Sequence, residues 1–256
     1  MGRGWGRRLA ALAATAALTT TACSALDDTG DSAASGGPTA AAPPAASSGT
    51  GPLANTDGTL PGLAPVTADP DRAQARALIG QLRTAGRGPK TGYARDEFGS
   101  AWTDSATAVP FGGNGCGTRD DILRRDGTGV RFRSGSTCVV DTMTLVDPYT
   151  GTSMTFRKKD ATEVQIDHVV ALSAAWQMGA AYWPRDKRVQ LANDPLNLLA
   201  VDGPTNNGKR DATPASWLPP AKQIRCAYVV RYAQVSLKYE LPVTEADKAE
   251  MLRQCA

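Results

Sequence analysis

The sequence predicts an α+β fold, and three observations carry that prediction. Between Glu163 and Pro220 the chain reads as strand, loop, strand and short helix. Between Tyr93 and Phe156 it breaks into short β-like runs punctuated by Gly-rich and Asp-Pro turns, and near the C-terminus apolar residues recur at helical spacing. The expected architecture is a small strand–strand–helix core with flanking strands and a C-terminal helical hairpin.

Taken in order, the chain opens with Arg3, Arg7 and Arg8 ahead of an apolar run from Leu9 to Leu18, which is too short to span a bilayer as a mature helix. With small residues following, residues 1–22 read as an export signal; a buried helix is disfavoured because the run has no polar face. Thr20-Thr21-Ala22-Cys23 resembles a lipobox with threonine where a branched aliphatic residue is usual. Of 5 cysteines, giving Cys23 to lipid leaves an even set, Cys116, Cys138, Cys226 and Cys255, suited to two disulfides in an oxidising compartment. A lipid anchor at Cys23 on the outer face of the membrane is therefore expected, with free secretion as the alternative.

Residues 23–71 are dominated by Ala, Gly, Pro, Ser and Thr, without Lys or Arg, and read as a flexible tether to a body over 72–256. Of 28 basic and 25 acidic residues, three arginines fall in the signal and six aspartates in the tether. The body keeps 25 basic against 19 acidic residues, a balance compatible with a polyanionic substrate and with many ordinary secreted domains.

In the body, Asp69-Pro70 followed by Ala73, Ala77, Leu78 and Leu82, with Gly86 beyond, predicts an N-capped helix. Val130-Arg131-Phe132, Cys138-Val139-Val140 and Met154-Thr155-Phe156 are the β-like runs of a segment expected to be mostly strand and loop. Cys116 and Cys138 bracket part of it, and a disulfide there would close a loop worth about 3 kcal/mol on the chain-entropy argument. Tyr228, Tyr232, Val235 and Tyr239 lie at helical spacing, Pro242 interrupts, and Thr244 with Asp247 resembles a capping box. Cys226 and Cys255 lie nearly equidistant from that turn, so antiparallel helices bring them level and predict their pairing.

The chemistry concentrates after Glu163. In Val164-Gln165-Ile166-Asp167-His168-Val169-Val170 apolar residues flank an Asp-His pair, and neighbouring strand positions point in different directions. One side chain can then hold a metal while the other faces an attacking water; a packed Asp-His pair in a core is the bland alternative. The sole histidine, His168, suits a general base because its unperturbed pKa lies near neutrality. Downstream, Asn197 opens an apolar strand, and Thr205-Asn206-Asn207-Gly208-Lys209-Arg210-Asp211 offers amide oxygens followed by two cations, a platform for one hard cation.

These residues resemble the HNH, or His-Me finger, endonucleases with their ββα-metal core, here over about residues 163–217. Ile166-Asp167-His168-Val169-Val170, Ala192-Asn193-Asp194-Pro195, Asn197-Leu198-Leu199, Asn206-Asn207-Gly208-Lys209 and Trp217-Leu218-Pro219-Pro220 are similar to a secreted bacterial group related to the C-terminal domain of GmrSD restriction endonucleases. Tyr93, Trp102, Cys116-Gly117-Thr118-Arg119 and Asp147-Pro148-Tyr149-Thr150-Gly151 extend the similarity upstream. The resemblance implies that His168 is the general base, that Asn197 orients the loop carrying it, and that Asp167 and Asn206 bind metal through oxygen, with Asn207 the alternative. Without a second histidine the zinc or nickel sites of multi-histidine relatives cannot be rebuilt, and oxygen ligands favour Mg²⁺, with Mn²⁺ as substitute.

The implied activity is metal-dependent hydrolysis of nucleic acid, DNA ahead of RNA, with low sequence specificity, by a monomer for which no feature predicts a protein partner. Lys209 and Arg210 are expected to contact phosphate. Arg119, Arg124, Arg125, Arg157, Lys158 and Lys159 read as surface charge, Trp176, Trp183 and Trp217 as packing, and Asp211 as either support for the site or a surface aspartate. The competing reading is a surface lipoprotein that uses the same fold to bind without catalysis. A serine hydrolase is disfavoured by the lack of a G-x-S-x-G elbow, and a zinc amidase by the shortage of histidines.

Overall fold

In a computed structural model, residues 49–256 are described. The expected export signal, Cys23 and the first part of the tether lie outside these residues.

Residues 49–68 correct the expected tether boundary. Pro52, Asn55, Leu63 and Val66 are buried, and Gly58 packs so closely that a Cβ there would meet the Leu196 backbone nitrogen at 2.3 Å. The physical reason is that side chains from the body satisfy this segment's backbone: Arg125 donates to the Gly58 carbonyl and Gln234 to that of Pro52, while the Gly62 N–H donates to Asp126. A segment so clamped needs few apolar residues of its own.

Helix α1 (Asp69–Gly80) follows, with Ala68 rather than Asp69 at the N-cap and Pro70 in the first turn. It buries Ala75, Ile79 and the following Leu82; Ala73 and Ala77, expected on the buried face, are exposed. A second helix, α2 (Thr118–Asp126), interrupts the stretch expected to be strand and loop. Its sequence places Asp120 and Asp121 in the first turn and Arg124 and Arg125 in the last, which suits the helix dipole at both ends.

Strands β1 (Thr128–Phe132), β2 (Val140–Val146) and β3 (Ser153–Arg157) form an antiparallel sheet in that order. Its Val140, Met143, Leu145 and Phe156 pack with Ile122 and Leu123 of α2 against a second, two-stranded antiparallel sheet. That ribbon is β4 (Val164–His168) and β5 (Leu198–Asp202), paired from Val164 with Asp202 to His168 with Leu198. Alternation along it sends Val164, Ile166, Leu198 and Ala200 to one cluster and Leu199 and Val201 to the larger core.

The connection between β4 and β5 holds α3 (Leu172–Gln177) and α4 (Arg185–Asn193), and α5 (Gly203–Lys209) closes the strand–strand–helix unit. Asp202 caps α5 through Thr205, and Gly203 is required where the helix turns in, since a Cβ there would meet the Thr162 carbonyl oxygen at 2.1 Å. Helices α6 (Arg225–Lys238) and α7 (Glu245–Gln254) form the predicted hairpin, with the Thr244–Asp247 capping box in place. Both expected disulfides are present, Cys116–Cys138 and Cys226–Cys255. The protein has an α+β fold.

Candidate active site

At the end of the β4–β5 ribbon a cleft of about 530 Å³ is lined by Asp167, His168, Asn206, Asn207 and Arg210, together with Lys90, Arg95, Trp102, Arg119 and Asp211. The expected base and both expected metal ligands thus border one cavity.

His168 is held on two sides. Its Nε2 lies 2.9 Å from the Ala192 carbonyl at the end of α4, so that nitrogen carries the proton and Nδ1 keeps the lone pair. The indole of Trp102 lies parallel to the imidazole, with centroids 5.5 Å apart and planes 10° from coplanar. Burial, with the Arg95 and Lys209 cations adding to it, pushes the imidazole pKa down to about 3 against the bond to Ala192, so the ring is neutral at physiological pH.

Asn197 fixes the chain beyond His168. Its Oδ1 accepts from the Val170 N–H at 2.8 Å, its Nδ2 donates to the carbonyls of Val170 and Leu191, and its own carbonyl accepts from the Val169 N–H. The side chain is fully buried, so these bonds replace water at both ends of the amide.

Asp167 points to the opposite ribbon face and meets two donors. Lys209 reaches both carboxylate oxygens at 2.8 and 2.6 Å and the His168 carbonyl at 2.6 Å, and the Tyr149 hydroxyl donates to Oδ2 at 2.6 Å. Burial pushes the Tyr149 phenol well above its ordinary pKa, and the carboxylate beside it pushes the same way, so the hydroxyl stays a donor. Lys209 was expected to face phosphate; instead it is 1% exposed and belongs to the protein interior. The Asp167 carboxylate and the His168 carbonyl take all three of its N–H donors there, which is what a buried ammonium requires. Arg210, by contrast, is exposed, lines the cleft, and adopts a left-handed backbone (φ 56°) as α5 ends.

Asn206 donates its Nδ2 to Gln165 Oε1 at 2.8 Å, and its Oδ1 accepts no hydrogen bond among the described residues. Asn207 is the more exposed and accepts from Gln165. Asp211 accepts from Ser173 and Lys90, which hold its carboxyl down near about 2, so it acts as an anchor on the rim.

Two residues read from sequence as surface charge are also engaged by the fold, Arg119 half-buried and Arg125 with a buried side chain. Arg119 donates to the carbonyls of Ala161 and Val164 at the start of β4, and Arg125 forms a buried ion pair with Asp126. Both sit on α2, a helix absent from the expectation. Trp102 and Tyr149 were visible only as part of the upstream resemblance, without a role; their aromatic character beside Gly-rich turns was the available signal. Trp176, Trp183 and Trp217 are packing residues, Trp217 edge-on to both Tyr149 and Tyr228.

Fold and site together define a strand–strand–helix unit with an Asp-His pair, a central Asn and a helix-borne Asn around one cleft. The model of the family described as GmrSD restriction endonucleases, C-terminal domain, matches residues 117–254, and the chain belongs to that family. An uncharacterized secreted protein of Arthroderma benhamiae is 39% identical over 191 residues, covering 73% of this chain and 87% of the relative. No solved structure matches.

Proposed function

We propose that the protein is an exported, metal-dependent endonuclease in which His168 activates water against a phosphodiester of nucleic acid, with DNA ahead of RNA. The observation that carries this reading is the placement of the imidazole: Nε2 is tied to the Ala192 carbonyl, the ring borders the cleft, and Nδ1, without a partner among the described residues, is left as the proton acceptor. The same cleft carries the exposed guanidinium groups of Arg95 and Arg210 for phosphate.

The donor set fits one hard cation, Mg²⁺ or Mn²⁺. A carboxylate offers about four lone-pair sites. Lys209 and Tyr149 take three on Asp167, leaving one on Oδ1, and the Asn206 Oδ1 is free among the described residues. Two protein oxygens suit an ion that keeps several of its waters, and sharing Asp167 with Lys209 makes the site weak. When bound, the ion supplies charge stabilisation to the phosphate oxygens.

His168 takes the proton as the water oxygen bonds to phosphorus and the P–O3′ bond breaks; the leaving 3′ oxygen takes a proton from solvent water, giving a 5′ phosphate and a 3′ hydroxyl. Asn197 holds the backbone at Val169 and Val170, keeping His168 in place against Ala192. The N-terminal export signal and the name of the Arthroderma relative support an extracellular location. A lipid anchor at Cys23 belongs to the same reading, and mass spectrometry of the mature chain finding an unmodified Cys23 would remove it.

The test is plasmid nicking by wild type and His168→Ala with Mg²⁺, Mn²⁺, Zn²⁺ or EDTA. Wild type is expected to nick in a chelator-sensitive way, best with Mg²⁺ or Mn²⁺, and His168→Ala to lose about 10²- to 10⁴-fold in rate while keeping its fold. A variant that cuts at the wild-type rate overturns the assignment, and retention of DNA without cutting favours the binding module.

A further inference from the structure

A second cavity, of about 300 Å³, shares Arg95, Trp102, His168 and Leu172 with the cleft and is otherwise bounded by residues such as Phe98, Ala101 and Asn193. We propose that this cavity is a subsite for one nucleobase beside the scissile phosphate, and that it gives cutting a base preference at that position. The inference rests on the reading of His168 as the base that serves a phosphodiester.

Proximity comes first. Because the His168 ring borders both cavities, a phosphodiester placed against it has its neighbouring bases within reach of the second cavity. The walls come next. Phe98 and Leu172 are buried and apolar, the Trp102 indole lies against His168, and the Arg95 guanidinium sits 6.0 Å from the indole centroid. Aromatic and guanidinium planes are what unstacked bases pack on. Trp102 adopts a left-handed backbone, φ 56°, held by the Thr118 N–H donating to its carbonyl, a conformation that costs a non-glycine residue about 1–3 kcal/mol.

The polar groups sort into two sets. Deep in the cavity they are already engaged: Asn193 accepts from Thr118 and donates to Val189, and the Ala192 carbonyl is bound by His168. At the rim, Asp96 and Ser100 are exposed, and neither side chain makes a hydrogen bond among the described residues. An aliphatic chain would use the walls and leave the rim idle, and ribose alone offers no planar face to stack on the indole and guanidinium. A base uses both. The Asp96 carboxylate only accepts, so it favours a base that presents an exocyclic amino group, cytosine, adenine or guanine, over thymine or uracil, whose single ring N–H lies between two carbonyl oxygens that a carboxylate repels. Residues 95–102 precede the family match at 117–254, so this preference belongs to the upstream segment.

The experiment uses the full mature protein and two independent readouts. Oligonucleotides with a single cleavable linkage, on DNA and on RNA backbones, carry each base or an abasic residue on either side of it. Amino-bearing bases are expected to be cut about tenfold faster than thymine, uracil or the abasic site on one side only. Asp96→Asn should level the difference among bases, and Ala101→Trp, which fills the cavity, should bring the ratio of intact to abasic cutting to about one. Separately, the single histidine gives one imidazole signal in an NMR spectrum, which cytidine should shift and ribose should not, and Ala101→Trp should remove that shift. Cutting that ignores an abasic residue on both sides, with no cytidine shift, overturns the subsite and leaves the nuclease reading intact. A cytidine shift without any cutting supports the subsite and overturns the nuclease reading.

Discussion

On one wall of the cleft Lys209 is closed off from solvent and directs all three of its N–H donors to Asp167 and the His168 carbonyl. On the other wall Arg95 stands exposed over Trp102, without an ion pair among the described residues. The inner wall is built from β4, β5 and α5, and its side chains are held in place by bonds within the protein before any substrate arrives. The outer wall comes from the segment around Lys90–Trp102 and the end of α5; Lys90 is tied to Asp211 there, while Arg95 and Arg210 make no ion pair among the described residues. The difference separates two jobs: the inner wall fixes the geometry of the reacting groups, and the outer wall supplies the field that collects a polyanion.

The sharpest way to break that division is Lys209→Met, which keeps the length and removes the charge. It strands the Asp167 carboxylate in a dry site, and breaking one partner of a buried pair typically costs about 3–5 kcal/mol. Urea unfolding should read a loss of that size; a loss comparable to that of a surface lysine would mean that the inner wall is not locked. Asn197→Ala comes next, at about 1–3 kcal/mol, because buried groups of Val170 and Leu191 lose their partner. Its nicking rate per folded molecule should fall as well. If stability drops while that rate holds, Asn197 supports the fold without positioning His168.

The two walls were unequally legible in the sequence. The Asp-His pair at the end of a strand, Asn197 opening the next, the short helix at Asn206, the capped hairpin and both disulfides follow from local spacing, and local spacing is what a sequence displays. Lys209 was expected at the phosphate, because nothing within a turn of it announces that Asp167, across the ribbon, will take it inside. Arg125 misled for the same reason: its partners, Gly58, Pro195 and Leu198, are distant in sequence. Helix α2 was missed because its two apolar residues, Ile122 and Leu123, sit in a highly charged run, although the acidic start and basic end were there to be read. Residues 49–68 were missed because their order comes from side chains supplied elsewhere.

A smaller effect follows from the neutral imidazole. The folded-state pKa of His168 lies near 3, below its ordinary 6.5, so between those values the unfolded chain binds a proton that the folded one refuses. Stability is therefore full above the ordinary value and declines as pH falls through it, by about 1–2 kcal/mol between pH 6.5 and 5. Thermal melts in EDTA should show that slope in wild type and a flatter line in His168→Asn. Equal slopes would place the imidazole in contact with solvent, and would move His168 from the inner wall to the outer.

The smallest change in stability, and the cleanest separation of the walls, belongs to Arg210→Ala. The side chain is exposed and makes no ion pair among the described residues, so unfolding free energy should move by no more than about 0.5 kcal/mol. Its effect should fall on substrate: KM for duplex DNA rises with kcat little changed, and the slope of log affinity against log salt shrinks by about 1, the signature of one lost phosphate contact. An unchanged salt slope would remove Arg210 from the path of the polyanion. A fall in kcat at constant KM would place its guanidinium at the reacting phosphate rather than along the strand, because only an interaction made in the transition state alone lowers the rate without touching ground-state binding.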